Sequence, residues 1–181
     1  FVNTFDFEMA SLEVAHHISA AGMQIDESRR ELLETILLNK WAKKQWVLDR
    51  LTGQETNVRS PKLKSILYDK TGLGLPVRRN RDGKLTTDED AIVSLISFVK
   101  TKIESLKTDA GKLPWEHRLG VLKLILEIRG IRQVLSNYVR QRLKDGTTRV
   151  RQDGRLHSTY KVGGTETARW SGTKYVDGTG F

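Results

Sequence analysis

Apolar residues recur at helical spacing in four long stretches of the chain, and the spacing breaks at glycines and prolines. Residues 5–21, "FDFEMASLEVAHHISAA", place Met9, Leu12, Ala15 and Ile18 on one helical face, and Gly22 stops the helix as a glycine past the last turn does. Asp26, in the link "MQID", is a candidate cap for a long helix from Glu27 to about Gly53. Its apolar positions Leu32, Leu33, Ile36, Leu37, Trp41, Val47, Leu48 and Leu51 keep a helical period with charges between them. Ser60 followed by Pro61 predicts a cap and a first helical position, opening a short helix over "PKLKSILYDK". A basic, turn-rich loop, "GLGLPVRRNRDGKLT", comes next. Thr87 with Asp90 three residues on has the form of a capping box with Asp in place of Glu, ahead of a helix over "DEDAIVSLISFVKTKIESL". After the polar break "KTDAGKL", Pro114 is expected to start the last long helix, through about Leu143. Leu119, Leu122, Ile125, Ile128, Ile131, Leu135, Tyr138 and Leu143 follow its period.

Beyond the turn signal at residues 144–146 the pattern changes. "TTRVRQDGRLHSTYKVGG" alternates, and its Asp153-Gly154 and Gly163-Gly164 dipeptides predict short strands and a hairpin. The expected fold is mainly α (α+β overall): about 145 residues of helices, then a short β-rich tail.

Composition narrows the function classes. The 181 residues suit one domain or one domain with an appendage, and 38% apolar with 29% charged residues suits a polar, core-forming protein. A formal charge of +9 and a pI near 9.9 point first to nucleic acid, then to an anionic membrane surface or an acidic partner. The chain holds no cysteine, which excludes disulfides, thiolate metal sites and thiol nucleophiles. Its longest apolar runs, such as "VLKLIL", are far shorter than a membrane span, and no charged-then-apolar leader opens it. No membrane partner and a cytoplasmic location are therefore expected. The opening "FVNTFDFEMA", without an initiator Met, and the close "DGTGF" read as a piece of something longer.

Catalytic chemistry is poorly represented. None of the four histidines pairs with another ligand at metal spacing, so no metal site is expected. Asp153, His157 and Ser158 are close in sequence, but triads are assembled by the fold and not by adjacency. "GTK" at 172–174 lacks the order of a phosphate loop, and no catalytic residue is assigned. The cations say more. Between Asn57 and Lys84 lie Arg59, Lys62, Lys64, Lys70, Arg78, Arg79, Arg81 and Lys84, against Asp69 and Asp82 alone. Such a group is either a cradle for backbone phosphates or a solvated surface. A second group, Lys123, Arg129, Arg132, Arg140, Arg142 and Lys144, decorates the last helix.

Several stretches, taken in order, resemble the family A DNA polymerases, the DNA polymerase I type and especially its phage-encoded members. "TNVRSPKLKSILYD…LGLP" is similar to the family's "N-x-x-S-P-K-Q-L…LGLP", and "GKLTTDEDAIVSL" to "G-K-x-S-T-D-E-x-x-L". "EIRGIRQVLSNYV" resembles "Y-R-x-L-x-K-L-x-S-T-Y-V". "DGRLHSTYKVGGTETARWSGTKYVDGTGF" resembles "G-R-I-H-x-x-F…T-x-T-G-R-L-S-S…G-T-N-L-Q-N", with Ala168 for the usual glycine and Trp170 for the usual leucine. The early "MASLEVAHHISAAGMQID" fits a family helix ending "G-I-x-V-D".

The resemblance implies long antiparallel helices of a polymerase thumb over residues 1–147, with a tip at about 57–86, and the β-rich start of a palm over 148–181. It implies a grip on double-stranded primer–template DNA through Asn57, Ser60, Lys62, Arg78, Arg79, Arg81 and Lys84 at the tip. Arg129 and Arg132 match basic positions near DNA. Thr165, Thr167 and Arg169 match the "T-x-T-G-R" element, whose arginine reaches the minor groove near the primer end. The chemistry suits that role, since hydroxyls bind phosphate or sugar and an arginine can read minor-groove acceptors common to every base pair. The family's magnesium-binding aspartates and nucleotide-gripping Lys and Tyr come from later palm and fingers segments. The chain alone is thus expected to bind DNA without polymerising, with magnesium implied only for the complete polymerase and with palm and fingers as partners in the same or a separate chain. Two other readings remain: a non-catalytic DNA-binding subunit of a split polymerase, and a basic helical interaction protein.

Overall fold

Glycines in the left-handed region set several of the boundaries. In the computed structural model, which describes residues 4–140, 150–162 and 171–173, helix α1 (Thr4–Ala21) ends at Gly22 with φ +62°, and α2 (Glu27–Thr52) ends at Gly53 with φ +70°. Asp26 caps α2, its Oδ1 accepting from the Arg29 N–H at 3.1 Å and the Ser28 hydroxyl at 2.7 Å. Three further α-helices follow: α3 (Leu63–Tyr68), α4 (Glu89–Ser105) and α5 (Asp109–Val134). The chain then widens into a π-helical segment, Leu135–Arg140. Strand β1 (Met23–Gln24) pairs antiparallel with β2 (Arg155–Leu156), and β3 (Thr159–Lys161) pairs antiparallel with β4 (Ser171–Thr173). The protein is mainly α, and no helix among the described residues is long and apolar enough to cross a membrane.

Four expectations shift. The helix after Pro61 begins two residues late, at Leu63, because Pro61 and Lys62 form tight turns in which Leu63 N–H bonds the Ser60 carbonyl and Lys64 N–H the Pro61 carbonyl. The cap of α4 is Asp88, one residue beyond Thr87: its Oδ1 accepts from Ala91 N–H at 2.9 Å, and Thr86 Oγ1 donates to its Oδ2 at 2.8 Å. The break before α5 is only Leu106–Thr108, since Gly111 and Lys112 N–H groups bond the Thr108 carbonyl and leave Pro114 inside the helix. "MQ", expected to be a plain link, forms strand β1.

The chain divides into two compact units, one of residues 1–35 and 135–181 and one of Ile36–Val134. In the second, α4 presents Ile92, Leu95 and Val99 and α5 presents Leu122, Ile125 and Ile128, all fully buried. A three-residue connection folds the two helices back on each other as an αα-hairpin. Leu48 of α2, Val58 of the following loop, and Leu63 and Leu67 of α3 complete that core. In the first unit the buried face of α1 is Ser11, Ala15 and Ser19, while Met9, Leu12 and Ile18 are exposed. Small side chains at i, i+4 and i+8 let β3 pack on this helix. Arg30 closes the end of the π-helical segment, donating to the Val139 carbonyl at 3.0 Å and the Arg140 carbonyl at 3.3 Å. Arg140 Nε in turn bonds Glu34 Oε1 at 2.7 Å.

Candidate nucleic-acid interface

The segment that follows α2 is held from below by side chains of that helix. Asp49 Oδ1 accepts from the Thr56 N–H and from Gln45 Nε2, both at 2.8 Å, and the Gln45 amide also reaches the Thr56 carbonyl at 2.8 Å. The Thr52 and Thr56 hydroxyls meet at 2.7 Å. On this support Asn57 turns the chain: its Oδ1 accepts from Arg59 N–H at 3.0 Å, and its carbonyl accepts from Ser60 N–H at 3.0 Å. Ser60 Oγ accepts from Lys62 N–H at 3.2 Å, so the hydroxyl keeps its own proton to donate. The fold thereby brings Asn57, Ser60 and Lys62 to the wall of one cleft of about 460 Å³. Amide, hydroxyl and ammonium donors suit phosphate or sugar oxygens.

The basic loop is a small hairpin. Thr86 N–H bonds the Arg78 carbonyl, Asn80 N–H bonds the Lys84 carbonyl at 2.9 Å, and Arg79 bridges Leu85. Asn80 Oδ1 accepts from the Asp82 and Lys84 N–H groups, and Gly83, with φ +75°, completes the reversal. Arg79 Nη1 donates to the Gly83 carbonyl at 2.7 Å, so part of its guanidinium stiffens the turn. Arg78, Arg79 and Arg81 line a second cleft of about 670 Å³, together with Asp82, Asp88 and Asp90. Lys84 is exposed outside that lining. The three aspartates temper a stretch that has eight cations against two anions in sequence, because Asp88 and Asp90 enter from the next helix. The Ala91 N–H, and after it the Thr86 hydroxyl, hold the Asp88 carboxyl below its ordinary value. Tyr68 donates to the Thr86 carbonyl at 2.5 Å, and burial pushes its phenol up.

Arg129 is turned inward. Its Nε and Nη2 donate to the Val58 carbonyl at 3.1 and 2.7 Å, and its Nη1 donates to the Thr87 carbonyl at 2.5 Å. Arg132 is half-buried in the last turn of α5. Arg118, not singled out in the sequence, does a similar job nearby: it bonds the Leu73 carbonyl at 2.7 Å and stacks on Trp115 at 4.7 Å. Nothing in sequence separates such inward arginines from solvated ones, since the carbonyls they seek belong to distant loops.

In the other unit, the turn before β2 is bolted to the end of α1. Buried His157 bonds the Ser19 carbonyl through Nδ1 and Asp153 Oδ2 through Nε2, both at 2.9 Å. Arg155 Nη1 donates to the Ala21 carbonyl at 2.8 Å, and Ile25 N–H bonds the Gly154 carbonyl. Asp153 and His157, close in sequence, do meet, in a structural link whose other end is a main-chain carbonyl. Strands β3 and β4 pair with Lys161 opposite Ser171. Thr165, Thr167 and Arg169 lie outside the described residues.

The chain is similar to the POL domain of Pol1 from M. smegmatis, solved in complex with a DNA primer-template and a dNTP: 26% identity over 84% of this chain, with a TM-score of 0.52. The fold is polymerase-like. The match spans 23% of that polymerase's length. No protein-family model and no curated protein matches the sequence.

Proposed function

We propose that the chain is the duplex-gripping part of a DNA-directed DNA polymerase of family A, of the phage-like kind. One observation carries the reading: the segments resembling that family's thumb motifs fold in a polymerase-like arrangement, and Asn57, Ser60 and Lys62 line one cleft there while Arg78, Arg79 and Arg81 line another. Donors of this kind bind sugar–phosphate backbone without regard to sequence, which replication of any template requires. Arg169, with Thr165 and Thr167, would add the minor-groove contact near the primer end, where every base pair offers an acceptor. Magnesium and the aspartates that hold it belong to other parts of the complete enzyme. There they would supply the metal-assisted attack of the primer 3′-hydroxyl on the nucleotide. This chain's work is to hold and orient primer–template in the cytoplasm, in the same polypeptide as palm and fingers or beside them.

Binding to a fluorescent primer–template duplex, titrated at several salt concentrations, tests the proposal. Affinity should fall steeply with salt and depend little on sequence, and Lys62→Gln or Arg81→Gln should each lower the log–log salt slope by about 0.9. A chain that fails to bind duplex, or binds it without salt dependence, is not a DNA grip.

A further inference from the structure

We infer that Arg129 is a positioning residue, a side chain of α5 that ties together both DNA-facing segments of the Ile36–Val134 unit, and not itself a phosphate contact. The inference rests on the proposed duplex-binding reading. The guanidinium offers five N–H donors in one plane, and three of them are engaged on two carbonyls of different segments. Val58, fully buried, follows directly on Asn57, which lines the first cleft with Ser60 and Lys62. Thr87 stands between Thr86, whose N–H bonds the Arg78 carbonyl at the base of the basic hairpin, and Asp88, the cap of α4. A helix residue thus ties the segment bearing Asn57, Ser60 and Lys62 to the segment bearing Arg78, Arg79 and Arg81. Burial, and after it the neighbouring Arg59 charge, lowers the Arg129 pKa from its ordinary value, as expected for a group drawn in from solvent. A guanidinium held this way has its fork aimed at the protein's own backbone. A lysine keeps the charge but is a compact point donor, unable to present a planar fork to both carbonyls.

Arg129→Lys separates the two roles. If Arg129 positions the segments, the lysine variant loses contacts from both clefts at once, and the salt slope for the primer–template duplex falls by more than the ~0.9 of one phosphate contact. Its effect is then non-additive with Lys62→Gln and Arg81→Gln, because those contacts are already weakened. If Arg129 touches phosphate directly, Arg129→Lys keeps the slope, Arg129→Met lowers it by about 0.9, and the effects add; that result overturns the inference. Amide hydrogen exchange on the same chain without DNA gives an independent answer. Exchange should quicken at residues 57–62 and 84–88 in Arg129→Lys while α4 and the core of α5 stay protected, and unchanged exchange at those two segments overturns the inference. Should the lysine variant fail to fold, Arg129→Gln, which retains one planar N–H2 donor, takes its place in the exchange measurement, and in the salt titration a slope loss of only about 0.9 for this neutral variant overturns the inference. Absence of salt-sensitive duplex binding by the unmodified chain would sink the DNA reading alone, and the exchange result would still decide whether Arg129 holds the two segments.

Discussion

At Gly22 two constraints coincide. The residue has φ +62°, and a Cβ built on it would lie 2.7 Å from Cε1 of His157. The first constraint alone costs an L-residue about 1–2 kcal/mol, and the second presses on a ring already held at both nitrogens. Gly22→Ala should therefore lower unfolding stability by at least about 1 kcal/mol, read as a drop in urea midpoint at unchanged m-value. A variant as stable as the parent would show that the ring moves aside without cost. His157→Ala removes the obstruction along with the bonds, so in that background the same glycine substitution should cost only its backbone strain, a non-additivity the double variant measures. The sequence marks Gly22 as a helix stop, which the structure bears out. It does not reveal the histidine 135 positions later that makes the absence of a side chain necessary.

Among the elements, α4 depends most visibly on its first turn. Asp88 accepts the Ala91 N–H and the Thr86 hydroxyl, with Glu89 and Asp90 in the same turn favourable to the helix dipole. Asp88→Ala should cost about 1 kcal/mol at neutral pH. The sign with pH follows from the lowered carboxyl pKa. A carboxylate depressed in the folded state contributes stability that is present above its unfolded value, near 3.9, and fades as pH falls through the folded value. The gap between parent and variant should hold from pH 7 to about 5 and narrow below about 4, measured by denaturant titrations across that range. A gap that does not change with pH would mean the charge is irrelevant to the cap. Elements of this kind were largely legible in advance. Helical spacing located the long helices and glycines set their ends, because both signals are local. Boundaries moved where a local rule met a competing one: the cap slid from Thr87 to Asp88, whose carboxylate offers two acceptor oxygens, and α5 reached back past Pro114 once Thr108 supplied a carbonyl for the first turn. Strand β1 could not have been read from two residues, since what makes it a strand is Arg155–Leu156, far along the chain. The buried face of α1 was legible only at Ala15, for a related reason. Its large apolar residues are exposed, and the packed stripe is Ser11, Ala15 and Ser19.

For the whole molecule, charge is the property that sequence states most plainly and structure most revises. The net +9 would draw a polyanion to the surface at large, but the second cleft sets Asp82, Asp88 and Asp90 against its three arginines. On the DNA-binding reading, these aspartates oppose phosphate while serving the fold. Asp90 is the most useful of the three to test, being exposed and free of the capping role that Asp88 fills. Asp90→Asn removes one anion from the first turn of α4, where a negative charge favours the helix by about 0.3–1 kcal/mol, so stability should fall slightly. Duplex affinity should move the other way. The loss of a repelling charge beside Arg78, Arg79 and Arg81 should tighten binding several-fold at about 50 mM salt. The gain should shrink by about 200 mM, where screening acts over roughly 7–8 Å. Opposite signs in the two measurements, with a salt-dependent gain, would place the second cleft on the path of the phosphate backbone. An affinity that stays level or falls would remove that cleft from the interface, and the grip would then rest on Asn57, Ser60 and Lys62 with the Arg169 segment.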